Sequence, residues 1–474
     1  MSMTRSGHAH KIIRQSLGTL VLTILIGASL LLAVRNLSIV TDFLPHASTE
    51  PANIIVDTAA ILGTFDRPWQ HLAQGGEGHD WRLEPIAAQV KALHPAYIRL
   101  DHIFDFYDIV SGTPGNIQFN FSKFDLILSD IQSAGAKPYI ALSYMTPSLA
   151  EGGELTGPPV RYEDWQLMVQ KTIEHVSGTR GTRDVYYEVW NEPDLFGGWK
   201  YYGSRNYLTL YTYAAQGAAA ARVSQPFKIG GPAITALYKN WFDALMKHVQ
   251  TNKLKFDFFS WHRYDTDINV FKKDMFEVQE WITKYPQLEP TVEFHITEWG
   301  HDSKNHAGYD GLQSAAHTVA GAIEMIGVVN RAFVFEIQDG KDPAGQAKWG
   351  RWGLFTHADF GAQAKPRYHA LKLLENLGPE RLQLLGKGSY VKAFAARKGP
   401  QHWQVILSNY DPRGKNTETV PVTFKNLPAG TYTAKITYVS KATQTKTVTT
   451  ESSDLQIAVP LGVYEVALVE LTPQ

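Results

Sequence analysis

The chain has 474 residues, 44% of them hydrophobic and 19% charged, with a formal net charge of -1 and no cysteine. That length makes two or three compact units the expectation and allows a large core. Near-neutrality removes the electrostatic motive for binding nucleic acid or an acidic polymer, and the lack of thiols excludes disulfides, thiolate chemistry and cysteine-ligated metals.

The first sixteen residues hold Arg5, Lys11 and Arg14 and no acid. Leu17 to Val34 (LGTLVLTILIGASLLLAV) then runs without a charge, at the lower length limit for a membrane-crossing helix. Basic residues ahead of such a segment put the N-terminus inside. Arg35 follows at once with no small-residue cleavage site nearby, so an uncleaved anchor is expected, with secretion after signal cleavage as the alternative. The expected layout is a cytoplasmic tail (1–16), a transmembrane anchor (17–35) that makes the membrane a partner, a polar linker (36–51), and an exported remainder, periplasmic or extracellular. His8 and His10 fall in the tail and match no zinc spacing.

Beyond the linker, short apolar runs alternate with stretches of helical period. Strands are predicted at 59–65, 96–100, 137–143, 185–190, 227–231, 256–261, 292–299 and 331–337. Helices between them include Tyr162–Val176 and Asn206–Ala221, the second with Ser204 as N-cap. Eight strands, each followed by a helix, predict an α/β fold of the (β/α)8 barrel type over 52–382. A doubly wound open sheet is the rival, but no glycine-rich dinucleotide turn follows the first strand. The stretch GGEGHD (75–80) lacks the Lys-Ser/Thr of a phosphate loop and reads as a plain loop. From about Gly386 the pattern shortens to seven alternating strands, which predict a β-sandwich over 383–474, with strand 53–57 as a candidate member.

In such a barrel the C-terminal ends of the strands face the active site. The fourth strand sits in DVYYEVWNEPDL (184–195) and delivers Asn191 and Glu192 before Pro193 stops it; the seventh ends in HITEWG and delivers Glu298. Two carboxylates projecting into one mouth suit retaining glycoside hydrolysis, which needs them about 5–5.5 Å apart.

VWNEP together with ITEW resembles the retaining barrel hydrolases that place an acid/base on strand four and a nucleophile on strand seven. KPYIALSYMTPSLA, PPVRYEDWQLMVQKTIEHV, KIGGPAI and FSWHRYD narrow the resemblance to glycoside hydrolase family 39, the group of β-xylosidases, α-L-iduronidases and bacterial exopolysaccharide hydrolases. The resemblance runs from about residue 63 to 300 and more weakly through strand eight. It implies Glu192 as general acid/base and Glu298 as nucleophile on an oligo- or polysaccharide, without a metal or other cofactor. It also implies Asn191 on the sugar 2-hydroxyl, His262 and Tyr264 lining the sugar subsite, and Arg99 beneath Glu298, with Tyr144 and Asp339 as further substrate contacts. Two positions depart from the family pattern. Asp101, followed by His102, stands where a histidine is usual and joins the substrate-binding candidates. Phe335 and Glu336 occupy strand eight where a tryptophan-led run is common. Trp199, Trp349 and Trp352 could be sugar platforms or core. The charge of Glu298 is expected to raise the pKa of Glu192. Two rivals remain: a carbohydrate-binding scaffold with an idle barrel, and a transglycosylase using the same residues.

Overall fold

A computed structural model describes residues 50–75, 78–341 and 350–474. The predicted tail, the anchor and nearly all of the linker lie outside the described residues, as does Trp349. Among the described residues no helix is long and apolar enough to cross a membrane.

Eight parallel strands close into a barrel in chain order: His71–Gln74, Tyr97–Leu100, Lys137–Leu142, Val185–Val189, Phe227–Ile234, Phe258–Tyr264, Glu293–Gly300 and Arg331–Phe335. Seven coincide with predicted strands. The first does not. The run at 59–65 is the end of a strand, Ile54–Thr64, that pairs antiparallel with Glu380–Leu385 and parallel with Glu418–Lys425 in the second domain. Its latter half is largely exposed, whereas a parallel barrel strand is covered on both faces. The true first strand is only four residues long, too short to carry a periodicity signal.

The second domain is one hydrogen-bonded sheet of nine strands. In spatial order these are Gln444–Thr450, Gly430–Tyr438, Val466–Pro473, His402–Asn409, Val391–Gly399, Glu380–Leu385, Ile54–Thr64, Glu418–Lys425 and Leu455–Leu461. Residues from opposite ends of that order, such as Tyr432 and Ile457, belong to one apolar core, so the sheet wraps over itself. The predicted border at 383 falls inside the strand Glu380–Leu385. Barrel and sheet belong to one compact unit, Pro51–Gln474. They are joined by Ser408 Oγ donating to the Ala316 carbonyl (2.8 Å) and Tyr410 OH donating to that of Thr266 (2.9 Å).

Among the helices, Tyr207–Ala220 is capped by Asn206, whose Oδ1 accepts from Leu208 N–H at 2.9 Å, and not by Ser204. The barrel interior is aromatic where TIM barrels often use aliphatic layers: Tyr97, Tyr139, Tyr186, Phe258 and Phe333 pack together with Phe335. That layer fills the barrel below the site.

Candidate active site

Successive side chains of a strand point to opposite faces, so residues two apart share the barrel interior. On strand two the inward series climbs from Tyr97 to Arg99 and on to Asp101; on strand four it runs from Tyr186 to Glu188; on strand six it reaches His262. Strand seven breaks this rule. His295 pairs with Ser260 and Ile296 with Trp261, but the next pair is Glu298 with His262, leaving Thr297 as an extra residue. Without that bulge Glu298 would share the outward face of Ile296; the bulge inverts the parity and turns the carboxylate inward.

Glu192 reaches the same mouth differently. Past Val189 the backbone passes through Trp190 at φ +75° and Glu192 at φ +45°, left-handed conformations that cost residues with a Cβ energy and cluster at functional sites. The turn is held by Glu192 N–H donating to the carbonyl of Ala233 (2.9 Å), itself at φ +56°.

The two carboxylates and His262 converge. His262 Nδ1 lies 2.9 Å from Glu192 Oε1 and 3.4 Å from Glu298 Oε2, and one atom from each of the three residues falls within 4.8 Å of the others. Glu298 is the better anchored of the pair: Arg99 Nη1 donates to its Oε1 at 3.0 Å and Tyr264 OH to its Oε2 at 2.8 Å. The Arg99 guanidinium, fully buried, also donates to Glu188 Oε2 (2.7 Å) and Asn191 Oδ1 (2.7 Å). Asn191 in turn donates through Nδ2 to Tyr144 OH (3.2 Å). Above these groups opens a cavity of about 560 Å³ whose lining includes Asp101, Asn191, Glu192, Tyr264, Glu298 and Trp352.

Burial raises the Glu298 pKa to about 7; His262 and Arg99 pull it down, while the charges of Glu192 and Asp101 push it up. The sequence had not pointed to an elevated Glu298. Burial acts downward on His262, but the adjoining Glu298 and Glu192 carboxylates overcome it and raise its pKa. Asp101 is likewise raised, by burial first. His262 and Glu298 each shift the other and so titrate together. With Glu192 they form the only trio of potential ligands this close among the described residues, yet His262 and Arg99 already supply the positive charge a cation would bring.

The predicted residues sort by depth. Glu192, Glu298, Asn191, Tyr264 and Asp101 line the cavity. His262 and Arg99 lie beneath it, fully buried, and act on the carboxylates. Tyr144, also buried, supports Asn191 from behind. Asp339 is engaged elsewhere: Lys365 Nζ contacts both its oxygens (2.7 and 2.6 Å) and Gly353 N–H donates to Oδ1 (2.8 Å), so its carboxylate serves the loop after strand eight. Trp199 is core, donating to the Thr156 carbonyl. Glu188 was not singled out from the sequence, although an acid at an inward position two residues after Tyr186 demands a buried cation. Leu195 and Phe196, which line the cavity and yet stand exposed, were also passed over.

A family model described as "Glycosyl hydrolases family 39" matches residues 78–445. A curated β-xylosidase from Caldicellulosiruptor saccharolyticus is 27% identical over 339 residues, 66% of this chain and 68% of the relative. Among solved structures, a monomeric β-xylosidase from Caulobacter crescentus CB15 superposes with a TM-score of 0.72 at 21% identity, over 89% of this chain and 99% of the other. A family 39 enzyme from Xanthomonas axonopodis pv. citri gives 0.72 at 18% identity, over 91% and 100%. At those identities the structural likeness speaks for the fold.

Proposed function

The chain belongs to glycosyl hydrolase family 39 and is a glycosidase, and on that premise we propose that it cleaves a neutral, β-linked pyranoside with retention of anomeric configuration. The observation that carries the reading is the proximity of Glu192 and Glu298, with facing atoms within 4.8 Å through His262. Oxygens this near suit double displacement, with its need for carboxyls about 5–5.5 Å apart, better than the separation of about 6.5–9.5 Å with which inverting enzymes hold an attacking water.

The roles follow from anchoring and access. Glu298, fixed by the cationic Arg99 and the Tyr264 hydroxyl, is the nucleophile: its carboxylate attacks the anomeric carbon as the glycosidic C–O bond breaks. Glu192 is the more solvent-accessible of the two and gives its proton to the leaving oxygen. It then takes a proton from water, which attacks the glycosyl-enzyme and frees Glu298. Asn191, held by Arg99 and Tyr144, is positioned for the sugar 2-hydroxyl. Arg263, the one arginine or lysine lining the cavity among the described residues, is clamped by Asp274, and Asp101 adds negative charge; this favours a neutral sugar over a uronate. The relatives named as β-xylosidases make β-xylosides the first substrates to test. An extracytoplasmic, membrane-anchored location is part of the same reading, supported by the basic residues ahead of the apolar segment 17–34.

The test is proton NMR of the first-formed anomer from a β-xyloside, together with two variants. The β anomer should appear first. Glu298→Ala should lose turnover, and Glu192→Ala should lose it on poor leaving groups while keeping it on activated aryl glycosides. First release of the α anomer, or wild-type rates for Glu298→Ala, refutes the reading.

A further inference from the structure

Four aromatic side chains stand exposed among the described residues: Phe196, Tyr202, Tyr238 and Phe276. Three of them gather on the loops that follow barrel strands four and five, at one edge of the cavity. Leu195 and Phe196 belong to its lining while 59% and 43% exposed, and the Phe196 ring lies edge-on to Tyr144 at 6.3 Å. Thr235, also in the lining, ties the two loops together by donating to Asp194, and its Oγ1 meets Tyr238 OH at 3.4 Å. Farther out, Tyr202 packs on Tyr201 (5.0 Å, edge-on), and Tyr201 on Trp241 (5.6 Å). The outer rings therefore have an ordered support beneath them. Polar groups of the loops are satisfied locally: Asp194 by Thr235, Arg205 by Glu154, Lys239 by Asp243.

Exposed aromatic side chains on loops that border a cavity call for an occupant that is flat and apolar on one side and hydroxylated at its edge. A pyranose ring fits that description. The position selects which part of the substrate it is. The first of these loops carries Glu192, the group proposed to protonate the leaving oxygen, and the second is bonded to it through Ala233 and Thr235, so the rim lies on the leaving-group side of the scissile bond. Phe196 and Leu195 reach into the cavity and can hold the first leaving-group sugar; Tyr238 and Tyr202 lie beyond it and can meet only later units.

We propose that Phe196, Tyr238 and Tyr202 form a stacking platform for the leaving-group portion of a neutral glycan chain, at least two sugar units long. The enzyme is thus built for oligo- or polysaccharide substrates and not for short aglycones. This rests on the assignment of Glu192 as acid/base, and the test separates the two. With 4-nitrophenyl β-D-xyloside and xylobiose through xylohexaose as probes, kcat/KM rises with leaving-group length. In the double variant Tyr202→Ala/Tyr238→Ala, the ratio of hexaose to aryl-glycoside kcat/KM falls by about tenfold or more, given the energy typical of an aromatic stacking contact. A rate indifferent to chain length, or equal losses on both substrates, overturns the platform and leaves the hydrolase reading intact. If neither class is cleaved, calorimetric titration of the Glu298→Gln protein with xylohexaose, cellohexaose and laminarihexaose reads the surface directly. Binding that weakens about tenfold without the two tyrosines sustains the platform while the β-xyloside reading falls. No binding, or binding indifferent to them, overturns it. Both tyrosines are exposed, so Tm should match the parent protein in every arm.

Discussion

Replacing His262 by glutamine tests the electrostatics of the site most directly. The imidazole touches both carboxylates, and glutamine keeps a donor of similar reach while removing the ionisable ring. At 3.4 Å from Glu298, a full positive charge is worth ~5 kcal/mol at an effective dielectric near 20. His262 also faces Glu192 and Arg99 stays in place at 3.0 Å, so the realised effect should be roughly a third of that, or one to two pK units. The sign is fixed by geometry. His262 favours the ionised form of Glu298, whose pKa already stands at about 7, so its loss raises that pKa further. The proposed nucleophile, which must be ionised, then becomes available only at higher pH. The assay is the pH dependence of kcat/KM, whose acid limb reports the free enzyme, measured for His262→Gln and wild type in the same buffers. The limb should move up by roughly one to two units in the variant. An acid limb that stays in place, or moves down, refutes the electrostatic account of the trio.

Two further changes probe the same cavity and the scaffold. Asp101→Asn removes a charge that pushes Glu298 up, so the acid limb should move to lower pH, opposite in sign to His262→Gln, and KM should rise severalfold if the proposed substrate contact from the cavity lining is lost. An acid limb unchanged by Asp101→Asn would separate this carboxylate from the titration. Asn206→Ala should cost about 1 kcal/mol of stability by leaving Leu208 N–H without its cap, measured by denaturant unfolding, with kcat/KM unchanged.

The barrel was legible because its strands are apolar runs at regular spacing, and both carboxylates were legible because they end two of those runs. What escaped depended on long-range pairing. The strand Ile54–Thr64 resembles a barrel strand locally, and only its partners at Glu380–Leu385 and Glu418–Lys425 assign it to the other sheet. The bulge at Thr297 is equally silent: strict alternation along HITEWG would send Glu298 outward, and its place at the strand end, with the resemblance, indicated otherwise. Asp339 looked available because its captor, Lys365, is distant in sequence. The elevation of Glu298 could not be read either, since burial, the largest influence on it, is a property of the folded chain.

The depth of the ionic network bears on what it is for. A buried pair such as Arg99 and Glu188 is a weak source of stability, because desolvating both groups offsets most of their attraction. Its geometric consequence is larger. Glu188 holds Arg99 through Nε, which leaves the two outer nitrogens of a rigid planar fork aimed at Asn191 and Glu298. One side chain thereby sets the direction of both the proposed nucleophile and the amide proposed to meet the sugar 2-hydroxyl. Lysine could match the charge but not the fork. The arrangement makes sense as preorganisation: the donors are in place before charge develops, so little reorganisation is left for the reaction itself.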